Sequence, residues 1–194
     1  HETIFLGAFA YTLSKYTNQE EVIFCTTVDN KILPLYININ EAQTALEYLQ
    51  HIENNLALIR KYSYYPFQEI HKNHGVNTDV MLVRGKSELN EPCKLKLSVS
   101  DYGIIATYNA NLYEQETIER FIKSMYAVIV VLSEGNGLRE IEIISTDDMD
   151  LIESFNDSAF PVDRELTIVD MLRSQAGKTP NHTAVVYKEN AYTY

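Results

Sequence analysis

The chain has 194 residues, 45% of them apolar and 22% charged. That is enough for one globular body, or one body plus a piece of another, and it excludes disordered, collagenous and disulfide-stapled miniprotein classes. Twenty-seven acidic against sixteen basic side chains give a net charge of -11, a surface repelled by nucleic-acid backbones and anionic membranes, and no cluster of Lys and Arg offsets it.

Neither nucleic acid nor a membrane is therefore expected as a partner. No apolar run reaches the roughly 18 to 20 residues of a membrane span and no signal peptide opens the chain, so it reads as soluble and cytoplasmic. Cys25 and Cys93 lie in segments that read as buried strands, each a small hydrophobe rather than half of a disulfide. The chain begins at His1, inside an amphipathic pattern, and stops at Tyr194, inside a strand pattern. It is read as an excerpt of something longer.

Residues 3 to 16, with Ile4, Phe5, Ala8, Phe9, Tyr11, Leu13 and Tyr16 apolar on most sides, predict a buried helix that ends at Thr17 and Asn18. Val22 to Val28 and Ile32 to Ile39 predict two strands, the second interrupted by Pro34, with Asp29 and Asn30 turning between them. From Glu41 to Lys61 the spacing of Ala45, Leu46, Leu49, Ile52, Leu56 and Ile59 predicts a one-faced helix. Tyr62, Tyr64 and Tyr65 then form an aromatic cluster that suits either a groove for an apolar ligand or, as expected here, the packing of a corner beneath that helix.

Asp79 to Arg84 predicts a short strand. Cys93, Leu95, Leu97 and Val99 alternate with polar residues, and Asp101, Tyr102 and Gly103 turn that strand into a partner over 104 to 109, a hairpin with one wet face. A helix follows to about Ser133, stopped by Gly135 and Gly137. Glu140 to Ile144 predicts a strand, and Thr146 to Phe155 a short helix; seven acidic residues and no basic one between Glu140 and Asp157 read as a solvated face. Residues 156 to 165 read as a linker around Pro161, Thr167 caps a further helix, and Ala184 to Tyr187 begins a strand.

The residues alone show no catalytic centre. His71 and His74 form the only close histidine pair, but no Cys or nearby carboxylate completes a metal set, so they read as a polar turn. His51 and His182 read as structural or surface groups. No glycine-flanked nucleophile elbow occurs, and the seven glycines never fall in a phosphate-binding order. No residue is therefore assigned as catalytic or metal-binding, and none can be assigned to a cofactor.

Read in order, however, several segments resemble the C-terminal half of a nonribosomal peptide synthetase condensation domain. Phe5 to Val28, FLGAFAYTLSKYTNQEEVIFCTTV, is similar to the family's LLAAFALLLSRYTGQEDVVFGTPV; Ile32 to Ile37 to TLPLRI; Tyr64 to Ile70 to DYPFExL; and Tyr108 to Phe121 to YNTDLFDEETIERL. Phe155 to Tyr194 resembles the junction into an adenylation domain, with Asn156, Pro161, Thr167, Leu172, Gln175, Pro180 and Val185 at its characteristic places and Tyr192 to Tyr194 at the start of LTYxEL.

The resemblance implies an α/β fold, a two-layer mixed sheet with helices on one face, forming one lobe of a chloramphenicol-acetyltransferase-like body. It implies residues 1 to 155 as the C-terminal lobe, 156 to 165 as linker, and 166 to 194 as the truncated start of adenylation. The expected partners are the missing N-terminal condensation lobe, the adenylation domain and peptidyl carrier proteins, whose phosphopantetheine arms enter a tunnel between the lobes. No cofactor is expected to bind the chain directly. Self-association is expected through the face the other lobe would cover.

Family chemistry centres on HHxxxDG in the N-terminal lobe, and that motif does not occur here. The segment carrying GxFVNT, which crosses between lobes, has no counterpart between Val28 and Ile32, and RDxSRNPLFQ is replaced by His74 to Asp79 without its arginine. Three readings follow: a synthetase fragment inactive alone, a degenerate platform that docks the adenylation domain and a carrier protein, and a stand-alone acyltransferase using His71 or His74 at the interface of an oligomer.

Overall fold

The computed structural model describes residues 2–64, 79–85, 93–159 and 166–194. Two compact units divide the chain near Met149. The first holds helix α1 (Glu2–Thr17), strands β1 (Glu21–Val28) and β2 (Lys31–Asn38), helix α2 (Ala45–Lys61), strands β3 (Val80–Arg84), β4 (Leu95–Ser100) and β5 (Gly103–Tyr108), and helix α3 (Gln115–Glu134). Helix α4 (Thr146–Asn156) straddles the division. The second unit continues with helix α5 (Ile168–Lys178) and strands β6 (Thr183–Tyr187) and β7 (Asn190–Thr193).

The five strands of the first unit form one sheet in the order β2-β1-β3-β4-β5. β1, β3 and β4 run parallel in the middle, and β2 and β5 fold back antiparallel at the edges. Period-two alternation sends Val22, Phe24 and Val28 of β1, Leu33, Leu35 and Ile37 of β2, and Leu95, Leu97 and Val99 of β4 into one core, where α1, α2 and α3 meet them. The expected mixed α/β sandwich is therefore observed. Cys25, Met81 and Val83 form a smaller buried cluster, with Ile32 and Cys93 packed against it.

Phe9 sits at the centre of the core. Its ring meets Phe24 and Phe121 edge-on, with centroids 4.9 and 5.7 Å away, so one helix residue ties the sheet to α3. Gly7 brings α1 close to α2: a Cβ there would lie 3.0 Å from Ile52 and 3.1 Å from Tyr48. The same approach lets the buried Tyr48 hydroxyl donate to the Gly7 carbonyl at 2.9 Å.

Local chemistry sets the element ends. β1 and β2 pair over all eight residues to Val28 opposite Lys31, and the two-residue turn places Asp29 and Asn30 at φ 50° and 62°, a left-handed pair that suits short polar side chains. The long helix starts at Ala45 rather than Glu41. Asn40 draws residues 41–43 into a turn by accepting from the Ala42 amide, and Thr44 and Glu47 then close a reciprocal cap.

Residues 140–144 are not the expected strand. A short 3₁₀ turn at Leu138–Glu140 leads into irregular chain whose backbone is satisfied off the sheet. The Tyr11 hydroxyl donates to the Leu138 carbonyl at 3.1 Å, and the Ser124 hydroxyl to that of Ile143 at 2.9 Å. Ile141 and Ile143 pack against the helical core, so their alternation reflects an extended segment lying on helices.

In the second unit, Thr167 and Asp170 form another reciprocal cap at the start of α5, and β6 and β7 make a hairpin. No side chain of α5 is buried, and Ile168, Leu172, Val185 and Tyr192 are exposed. This unit has amphipathic pieces without a core of its own. No helix among the described residues is long and apolar enough to cross a membrane.

Candidate functional site

Parallel strands deliver their carboxyl ends to one rim of the sheet, the usual place for a ligand in such an arrangement. Here β1 runs through Thr26 to Val28, β3 ends at Arg84 and β4 at Ser100, and the first turns of α1 contribute Glu2, Phe5 and Leu6 beside them. A cleft of about 370 Å³ opens between these parts. Phe5, Leu6, Leu82 and Val99 give it an apolar floor, with Glu2, Arg84 and Asp101 among its charged lining residues. Glu2 faces the Arg60 guanidinium at 3.9 Å. The size is that of a site for a small organic molecule.

Its residues fall at strand ends and a helix start, which no linear motif marks. The available signal is the cationic end of an apolar strand at Arg84 followed, one strand later, by the acidic turn residue Asp101. Sequence reasoning assigns neither a role.

The residues weighed as catalysts do not converge on this cleft. His51 is half-buried on α2, its Nε2 3.2 Å from the Asn55 amide nitrogen, and that nitrogen donates to the Tyr36 carbonyl at 3.0 Å. This ring therefore helps hold α2 to β2. His182 is exposed in the turn after α5, where its backbone amide donates to Thr179. His71, His74 and Tyr65 lie outside the described residues. Among the described residues no group of three or more His, Cys, Asp or Glu side chains is placed to hold a metal ion.

The tyrosine cluster requires a correction. Tyr62 and Tyr64 are 51% and 73% exposed and do not pack beneath the helix. α2 stops at Lys61, the Tyr62 amide caps it by donating to Leu58 and Arg60 carbonyls, and the Tyr62 and Tyr64 rings lie 6.4 Å apart. The cysteines also differ in placement. Cys25 is buried in β1, whereas Cys93 lies before β4, half-buried, with burial pushing its thiol pKa up and away from thiolate reactivity. Burial likewise raises the Tyr48 phenol, so its proton stays in the bond to Gly7.

No family model matches the chain. Among curated proteins it is similar to Bacitracin synthase 1 of Bacillus licheniformis, 25% identical over 240 aligned positions that take in 99% of this chain and 4% of the relative. It is also similar to Tyrocidine synthase 3 of Brevibacillus parabrevis, 24% identical over 238 positions covering 98% of this chain and 4% of the relative. The chain thus spans a small part of the curated relatives it matches.

Among solved structures, the starter condensation domain of rhizomide synthetase RzmA aligns with a TM-score of 0.63 at 15% identity, over 74% of this chain and 44% of that one. The X-domain from teicoplanin biosynthesis aligns with a TM-score of 0.61 at 17% identity, again over 74% and 44%.

Sequence and fold agree on a class: a chain similar to nonribosomal peptide synthetases along nearly its whole length, whose body has the chloramphenicol-acetyltransferase-like fold of condensation domains. Within that class it corresponds to the C-terminal lobe, slightly under half of such a domain.

Proposed function

We propose that this chain contributes one wall of the tunnel in which a peptide synthetase joins carrier-bound aminoacyl and peptidyl thioesters, and that it forms no peptide bond by itself. Residues 1 to 155 serve as the acceptor-side lobe, 156 to 165 as linker, and 166 to 194 as the opening of an adenylation domain. The observation that supports this most is the joint match: peptide synthetases in sequence across 98–99% of the chain, and condensation domains in fold across about 74%.

The chemistry follows from what the lobe lacks. HHxxxDG is absent from the 194 residues, and a positioned acid or base contributes about 10² to 10⁴ in rate. Half of the surface that would align the two thioesters is also supplied elsewhere. Carrier proteins bring their own phosphopantetheine arms, the N-terminal lobe brings the imidazole, and the cytoplasm is the compartment this reading assigns.

Mixing this chain with an N-terminal condensation lobe carrying HHxxxDG, an aminoacyl donor carrier and an aminoacyl acceptor carrier tests the reading by mass spectrometry of the carrier-bound product. Dipeptide is expected with both lobes and not with either alone. Dipeptide made by this chain without the other lobe would refute it.

A second reading, a docking platform without chemistry, is favoured by chain length. Alignment with Bacitracin synthase 1 runs over 240 positions, whereas the chain has 194 residues, so at least 46 positions of the relative have no counterpart here. Two connections in the lobe are correspondingly short. β1 passes to β2 in two residues, and only residues 85–94 link the parallel neighbours β3 and β4, below the dozen or so usual for such a crossover. No segment leaves the β1–β2 turn to reach another lobe. One fold neighbour, the X-domain from teicoplanin biosynthesis, is known in complex with OxyB, which supports a binding role for lobes of this shape. Retained binding of the adenylation domain together with no dipeptide in the two-lobe assay would select the platform.

A further inference from the structure

The cleft at the strand ends carries a charge pattern of its own. Arg84 and Asp101 stand on its rim, both exposed. Among the described residues neither has an ion-pair partner, in contrast to Glu2, which Arg60 approaches. Arg84 lies opposite Val99 in the parallel register. Asp101 follows two residues further on, in the turn after β4.

Arg84 and Asp101 form no ion pair with each other, which leaves a positive and a negative group on the rim of one cleft above an apolar floor. We propose that this cleft binds a zwitterion with an apolar body, of which an apolar α-amino acid is the smallest member. Its carboxylate lies on Arg84, its ammonium on Asp101, and its side chain on Phe5, Leu6 and Val99. The planar guanidinium suits a carboxylate, because two parallel N–H groups match its two oxygens. A ligand with a single charge leaves one rim group without a counter-charge, and a fully apolar ligand leaves both. This assignment is independent of the condensation reading and stands or falls by binding alone.

Titration of the isotope-labelled 194-residue chain with L-phenylalanine, 3-phenylpropanoate and phenethylamine, followed by amide NMR, tests it. Phenylalanine is expected to shift the Gly85, Asp101 and Tyr102 amides, with each singly charged analogue about tenfold or more weaker, the usual effect of losing one charge-assisted hydrogen bond. Arg84→Gln should weaken phenylalanine and 3-phenylpropanoate about tenfold and leave phenethylamine unchanged. Asp101→Asn should do the mirror image. Both positions are exposed, and an unchanged spectrum elsewhere shows that the fold is kept. The proposal is overturned if phenylalanine shifts no amide around the cleft, if either analogue binds as well as phenylalanine, or if binding ignores both substitutions.

Discussion

Phe9 illustrates how much of this fold rests on single side chains. It is fully buried and stacks edge-on against Phe24 of the sheet and Phe121 of α3, so Phe9→Ala is expected to cost about 3 to 5 kcal/mol in a denaturant melt. Gly7 acts in the opposite sense, by having no side chain. Gly7→Val should lose about 1 to 3 kcal/mol through crowding against Ile52 and Tyr48, despite replacing a poor helix former. An unchanged midpoint for either variant would contradict this packing.

At the same scale the two helix caps set a pH response. The carboxylate of Glu47 is held below its ordinary range chiefly by the Thr44 backbone amide, and that of Asp170 by the Thr167 hydroxyl. Both groups titrate lower in the folded chain than unfolded. Their contribution is therefore complete above the unfolded carboxylate pKa of about 4 and is lost as pH falls through the depressed folded values. Far-ultraviolet circular dichroism should show helix fraying below about pH 4, reduced in Glu47→Gln. Equal acid sensitivity in that variant would show that the cap carries no titration.

At the scale of elements, the legible parts of the sequence are those whose periodicity and caps agree. The Val22–Val28 and Ile32–Ile39 runs, the Asp29-Asn30 turn and the α3 stop at Gly135 all appear where side-chain chemistry demands them. Residues 140–144 mislead because Ile141 and Ile143 alternate as a strand would, while Tyr11, Ser124 and the helical core, all distant in sequence, decide their fate. Tyr62 and Tyr64 mislead because an aromatic composition does not say which side chains past a helix end are buried. The cleft is invisible in the sequence: Glu2, Leu82, Arg84 and Asp101 are brought together only by strand order.

The β1–β2 turn gives an element-level prediction. Asn30→Val places a β-branched residue at φ 62° and should destabilise the lobe by roughly 1 to 2 kcal/mol, whereas Asn30→Gly should be neutral or better. Chemical denaturation of the two variants separates them. Equal stability would mean that the turn is not as tight as described.

On the scale of the whole molecule, the two units differ in how their apolar surface is satisfied. The first holds a continuous core between three helices and a five-stranded sheet, while the second leaves Ile168, Leu172 and Val185 exposed. Hydrogen exchange is expected to be slow in β1 and α1 and fast in residues 166–194, and to slow in the latter when the rest of an adenylation domain follows. Unchanged fast exchange in the longer chain would contradict the proposed assignment of that segment.

The central claim is that the proton-handling group of the reaction belongs to another lobe. The most direct measurement replaces all five histidines of this chain, His71 and His74 included, by glutamine, and compares dipeptide yield in the two-lobe carrier assay with that of a partner lobe whose second HHxxxDG histidine is changed. The histidine-free chain is expected to support the same yield as the unaltered one, and the altered partner lobe to abolish it. Loss of product on replacing a histidine of this chain, with its circular dichroism unchanged, would contradict the account.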